Sequence, residues 1–151
     1  MSLELHLAGK TAIVTGGSAG IGLAVAKALY SEGVNVAIAA RNQERLENAV
    51  SAIQSLPTPG AKVIAISADL TQAASVDTVV STTLAQFGQI DILINNAGSA
   101  RAGSFLDLND DVFLDAWNLK LLGYIRLVRA VVPHQKNRRD GRIVNIIGGA
   151  G

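Results

Sequence analysis

The residues best placed for chemistry form the run Thr15-Gly16-Gly17-Ser18-Ala19-Gly20-Ile21-Gly22. It joins an apolar, strand-like stretch, Thr11–Val14, to an amphipathic stretch of helical period, Ile21–Tyr30. A glycine-rich turn at such a junction gathers free backbone N–H groups at the positive end of a helix dipole. Without Cβ atoms, the backbone can come close to a phosphate. The ligand this arrangement suits is the pyrophosphate of a dinucleotide. The spacing is G-x-x-x-G-x-G, which departs from the G-x-G-x-x-G of the standard dinucleotide fingerprint. Gly16, Gly20 and Gly22 are expected to shape the turn, and Ser18 and Ile21 to add hydroxyl and backbone contacts.

A second chemical signal sits after the next strand-like run. Dinucleotide-binding folds that take NAD place an acid there for the ribose 2′-hydroxyl. This chain instead reads Ala39-Ala40-Arg41-Asn42. The Arg41 guanidinium offers a fork of donors suited to a 2′-phosphate. NADP is therefore the expected cofactor, with NAD as the alternative.

Other patterns carry less. Gly16-Gly17-Ser18-Ala19-Gly20 also fits the nucleophile elbow G-x-S-x-G, but that elbow needs earlier strands and a later acid and histidine. Here it falls on the first strand, and the only later histidine, His134, lies in a polar, basic stretch. Gly9-Lys10-Thr11 resembles the end of a phosphate-binding P-loop, yet Glu4 stands at the first glycine position and Lys10 precedes a strand. Lys136, Arg138, Arg139 and Arg142 cluster without interleaved aromatics, which fits a solvated helix end rather than a nucleic-acid surface.

Composition agrees with this. Of the 151 residues, 49% are apolar and 17% charged, and the net charge is +1. No global field points to nucleic acid or an anionic membrane. The absence of cysteine excludes disulfides, thiolate chemistry and cysteine-bound metals, and fits a reducing compartment, so the cytoplasm is the expected setting. No run has the unbroken apolar length of a membrane span.

The elements that must position these residues alternate regularly. Strands are predicted at Thr11–Val14, Val34–Ala39, Lys62–Ile66, Ile90–Ile94 and Arg142–Ile147. Helices are predicted at Ile21–Glu32, Gln43–Ser55, Gln72–Phe87 and Val112–Val132. Gly33 and Gly88 stop the first and third helices, the loop Pro57-Thr58-Pro59-Gly60 stops the second, and Pro133 stops the last. The strands are short, β-branched-rich runs rather than alternating ones, as expected when both faces are covered. Residues 1–151 thus read as one α/β domain with a doubly wound parallel sheet, Rossmann-like. Strand five would be an apolar edge.

A further motif, Asn95-Asn96-Ala97-Gly98, follows the fourth strand-like run. With the glycine turn it makes the chain resemble the short-chain dehydrogenase/reductase family. The resemblance covers nearly all of this chain but only the first part of the family's fold, which runs on into its last strands and substrate-binding helices. It implies an NAD(P)-dependent oxidoreductase that moves a hydride between nicotinamide and an alcohol/ketone pair. It assigns Asp69 and Leu70 to the adenine, with helix capping as the alternative for Asp69. Asn96, Ala97 and Gly98 belong to the nicotinamide-ribose side, and Asn95 braces neighbouring strands.

The catalytic half matches less well. The family uses a tyrosine as general acid/base, with a lysine four residues later lowering its pKa. A phenol near its usual pKa of about 10 transfers protons poorly at neutral pH. The resemblance places that pair beyond residue 151. Its catalytic serine falls on Gly148, and its relay asparagine on Lys120. Asn118 stands about 200° around an ideal helix from Lys120 and should not substitute. Tyr124, four residues after Lys120, reverses the family's order and is expected to pack in an apolar helix face. No catalytic residue is therefore assigned, and the 151-residue chain alone is expected to be inactive. The alternative is a non-catalytic dinucleotide-binding protein, or a truncated or degenerate relative.

The long helix also predicts a homo-oligomer. Trp117, Leu121, Tyr124, Val128 and Val131 recur at three- and four-residue steps, and Leu114, Ile125 and Val132 widen the stripe. One helix face against a sheet cannot bury all of these.

Overall fold

The computed structural model describes residues 3–58, 60–98 and 103–148. Pro59 of the expected second-helix stop and the terminal residues 149–151 lie outside the described residues. The chain runs β1 (Thr11–Thr15), α1 (Gly20–Ser31), β2 (Asn35–Ala40), α2 (Gln43–Gln54), β3 (Val63–Ser67), α3 (Ala73–Phe87), β4 (Ile92–Asn95), α4 (Asp110–Trp117), a π turn (Asn118–Leu122), α5 (Gly123–Arg138) and β5 (Arg142–Asn145). All four strand pairings are parallel, in the order β3-β2-β1-β4-β5. This is the doubly wound, Rossmann-like sheet that the alternating pattern predicts.

The strand composition explains the layering. Every residue of β1 and of β4 is buried. Residues pointing to one face, among them Val14, Val36 and Ile38, pack with Ala26, Leu46 and Ile53 of α1 and α2. Residues of the other face, among them Ile13, Ala37 and Leu93, pack with Val76 and Val79 of α3 and Leu127 and Val131 of α5. In α2, Leu46, Ala49 and Ile53 recur at helical spacing and form its buried side. Between β1 and β4 the winding reverses, because β1 leads to β2 and β3 on one side and β4 to β5 on the other. Ligands of such sheets bind outside the carboxyl ends of the strands at this reversal.

Three expectations need correction. Val34 precedes β2, and β5 ends at Asn145, two residues before Ile147. The long helix starts at Asp110, is broken by the π turn, and passes through Pro133 to Arg138. A proline inside a helix removes one hydrogen bond and crowds the preceding turn. The residues beyond it supply strong anchors. Gln135 is buried, and its Nε2 donates to the carbonyls of Asp91 (3.1 Å) and Arg142 (3.3 Å). Arg138 Nε donates to Asp91 Oδ1 at 2.8 Å. Lys136 and Arg138 also place cations on the negative end of α5. The helix stops at Arg139, whose N–H still reaches the carbonyls of Gln135 and Lys136; its left-handed φ of 54° turns the chain so that the Asp140 N–H also donates to the Gln135 carbonyl, at 3.3 Å. The third correction concerns Val131. The sequence stripe groups it with Trp117 and Leu121, but Val131 is fully buried while those two are exposed. The π turn adds a residue to one turn and rotates the two halves of the stripe apart.

Candidate dinucleotide site

The glycine turn grows directly out of β1. Gly16 N–H donates to the carbonyl of Ala39 at 2.8 Å, so the turn begins as the β1–β2 ladder ends. Gly16 has φ of +63°, a conformation L side chains rarely adopt. A Cβ there would stand 2.9 Å from Asn96 Nδ2. The closest approach is at Gly22, in the first turn of α1. A Cβ on Gly22 would lie 2.2 Å from the carbonyl oxygen of Gly16 and 2.6 Å from Asn96 Nδ2. Only glycine lets α1 begin this close to the turn. Gly20, by contrast, has open space around it. Gly17 is a packing glycine, since a Cβ there would meet Ile38 Cγ2 at 2.7 Å.

The Asn95-Asn96-Ala97-Gly98 segment is tied to this turn by one hydroxyl. Thr15 Oγ1 accepts from the N–H groups of Asn96 (2.9 Å) and Ala97 (3.0 Å). Asn96 Nδ2 donates to the carbonyls of Thr15 (3.2 Å) and Gly16 (3.4 Å). Asn96 thus acts on the site from below, by holding the turn. Asn95 Nδ2 donates to Asn145 Oδ1 at 2.9 Å and braces β4 against β5.

A cavity of about 620 Å³ opens over the carboxyl ends of β1, β2 and β4. Gly16, Ser18, Arg41, Leu70, Ala97 and Gly98 line it together. Gly20, Ile21, Gly22 and Asn96 are not on its wall; they shape the turn beneath it or, as with the exposed Ile21, flank it. Six wall residues were not among those expected from sequence: Ala39, Ala40, Asn42, Arg45, Ala68 and Leu119. Asn42 caps α2, its Oδ1 accepting from the Arg45 N–H at 2.9 Å. The cap fixes the first turn of α2, so Arg45 joins Arg41 at one end of the cavity. The spacing R-x-x-x-R was the available signal. Among the described residues, neither guanidinium is within ion-pair distance of a carboxylate.

Asp69 lies in an adjoining cavity of about 600 Å³ that Arg41 also lines. Its Oδ1 accepts from Thr71 Oγ1 (2.7 Å) and the Thr71 N–H (3.0 Å). It caps no helix, because α3 takes Gln72 as its first flanking residue. The Thr71 hydroxyl, then the Thr71 amide, and more weakly the Arg41 charge hold the Asp69 carboxyl below the usual carboxylate range. A depressed carboxylate stabilises the fold above its ordinary pKa, and that contribution fades as the pH falls through the lowered value.

A family model for short chain dehydrogenases matches residues 10–151. The chain belongs to the short-chain dehydrogenase family. It is 40% identical over 145 residues to a short chain dehydrogenase of Pseudocercospora fijiensis, covering 93% of this chain and 45% of that protein. It is 36% identical over 138 residues to the 2,3-dihydro-2,3-dihydroxybenzoate dehydrogenase of Bacillus subtilis, covering 91% and 52%. Among solved structures, L-sorbose reductase from Gluconobacter frateurii, complexed with NADPH and L-sorbose, superposes with a TM-score of 0.84 at 34% identity, covering 90% of this chain and 51% of that one. An NAD+-bound xylitol dehydrogenase superposes equally well, with a TM-score of 0.84 at 31% identity, covering 91% and 52%. The chain spans about half the length of the relatives it matches.

The structure also places the residues weighed for proton transfer in the sequence. Tyr124 Oη donates to the Ile146 carbonyl at 2.8 Å, and partial burial raises its pKa, the opposite of what a general acid/base needs. Gly148 carries no hydroxyl. Asn118 is engaged by Arg126, its Oδ1 accepting from Arg126 Nη1 at 3.0 Å. Lys120 lies along Gly98: a Cβ on Gly98 would meet Lys120 Cδ at 3.2 Å and Nζ at 3.4 Å. The P-loop-like Lys10 is engaged elsewhere, in an ion pair with Asp140. Among the described residues no group of acids and histidines could hold a metal ion, and no helix is long and apolar enough to cross a membrane.

Proposed function

We propose that this chain forms the dinucleotide-binding part of a short-chain dehydrogenase that uses NADP in exchanging a hydride between an alcohol and a carbonyl compound. The observation that carries this reading is the cavity itself. It runs from the guanidiniums of Arg41 and Arg45 past the glycine turn to Gly98, and among the described residues no carboxylate lines it or pairs with either arginine. The Gly16–Gly22 approach fits a pyrophosphate, because a single Cβ would close it. Gly16, Ser18, Gly20, Ile21 and Gly22 form the pyrophosphate turn. Arg41 takes the 2′-phosphate, Asp69 and Leu70 flank the adenine, and Ala97 and Gly98, held by Asn96, take the nicotinamide ribose. The nicotinamide cofactor supplies or accepts the hydride when bound. Related structures hold either NADPH or NAD+, so Arg41 is what favours NADP here.

Arg41→Ala is expected to weaken NADP binding by about 10- to 150-fold, the equivalent of roughly 1.5–3 kcal/mol for a charge-assisted contact, and to leave NAD binding nearly unchanged. Calorimetric titration with both cofactors checks it. Equal affinities in the parent chain would overturn the preference.

The same reading includes a cytoplasmic setting, supported by the absence of cysteine, and self-association through the long helix. Leu114, Trp117, Leu121 and Ile125 face outward and are exposed. Contiguous apolar surface of this kind marks contact with another surface. Sedimentation at micromolar concentration is expected to show a dimer, and a clean monomer contradicts it.

A further inference from the structure

Lys120 is carried to the carboxyl edge of the sheet, against Gly98 of the dinucleotide cavity. It sits in the π turn Asn118–Leu122. Such turns are rare inside helices and concentrate at functional sites, because the extra residue re-aims side chains that a regular helix would present elsewhere. Here the turn closes with the Gly123 N–H on the Asn118 carbonyl. Asn118 is directed to Arg126, and Lys120 to Gly98. The Lys120 side chain is only half-buried. Among the described residues it has no carboxylate within ion-pair distance. Its ammonium lies 3.4 Å from where a Gly98 methyl would stand.

Gly98 and Ala97 form the end of the cavity opposite Arg41 and Arg45. With a 2′-phosphate at the guanidiniums and a pyrophosphate on Gly16 and Ser18, that end receives the nicotinamide riboside. Lys120 lines not this cavity but the neighbouring groove, with Tyr124, Asn145 and Gly148; its approach to Gly98 is what brings its ammonium to the edge of the dinucleotide cavity. We propose that the Lys120 ammonium binds the nicotinamide half of the dinucleotide, donating hydrogen bonds to its oxygen acceptors across Gly98. This rests on the dinucleotide reading given above. It gives Lys120 a role of its own at a position where the family resemblance implies an asparagine.

The test compares whole dinucleotides with their adenine halves. Calorimetry would measure NADPH against 2′,5′-ADP, and NADH against ADP, on the parent chain, Lys120→Met and Lys120→Arg. In Lys120→Met, affinity for NADPH and NADH is expected to fall about 10-fold, the scale of one charge-assisted hydrogen bond, with both adenine halves binding as before. Lys120→Arg should recover part of the loss. Equal losses for whole and half ligands would show a structural effect and overturn the assignment, as would no loss at all. Should Lys120→Met unfold, Lys120→Gln supplies the same comparison. A parent chain that prefers NADH to NADPH would sink the Arg41 reading and leave the Lys120 assignment standing. A parent chain that binds none of the four ligands would overturn both.

Discussion

Asp91→Ala is expected to lower the stability of the chain by about 2–4 kcal/mol, because it strands a buried backbone N–H and removes the charge-assisted hydrogen bonds that the carboxylate accepts. Asp91 is 1% exposed, just before β4. Its Oδ2 accepts from the Thr11 N–H at 2.9 Å and from Gln89 Nε2 at 2.7 Å. Its Oδ1 accepts from Arg138 Nε at 2.8 Å. One carboxylate thus fastens the start of β1, the approach to β4 and the last turn of α5. Removing it strands the buried Thr11 N–H, at a cost of roughly 1–3 kcal/mol by itself, and releases Arg138 to solvent. Asp91→Asn keeps an acceptor for Thr11 and should lose less. Urea unfolding compares the two. A loss below about 1 kcal/mol for Asp91→Ala would show that the helix end holds without this anchor.

The second large effect is on turnover. The 151-residue chain is expected to reduce carbonyl compounds at least ~10²–10⁴-fold more slowly than an enzyme with positioned acid/base catalysis. Neither Tyr30 nor Tyr124 has a lysine four residues later. The Tyr124 hydroxyl is committed to the Ile146 carbonyl, and burial raises its pKa. Gly148 offers no hydroxyl to polarise a substrate oxygen. NADPH oxidation with a panel of ketones and aldehydes measures this. Turnover abolished by Tyr124→Phe would make Tyr124 the proton donor and reverse the reading of the helix face.

Local chemistry made most of the fold legible in the sequence. Short β-branched runs between amphipathic stretches fixed the number and type of the strands, because a strand covered on both faces must be apolar on both. Gly88 ends α3 in the left-handed conformation that its position predicts. Arg41 was legible because the absence of an acid after β2 is itself a pattern, and Gly16, Ser18, Ala97 and Gly98 because their motifs lie at strand ends. Only the tertiary structure could decide the rest. Arg45 reaches the cavity because Asn42 caps α2 and the β2–β1 pairing aims that cap at the glycine turn. Asn96 serves the turn because Thr15, 81 residues away, receives its N–H. Pro133 fails to end its helix because Asp91 holds Gln135 and Arg138 beyond it. Lys120 meets Gly98, and Val131 the core, because a π turn changes the helical period within one element. Sequence periodicity assumes a constant rotation per residue and reads neighbours along the chain. Partners brought together across a sheet, and a change of helical pitch, lie outside what that assumption can see.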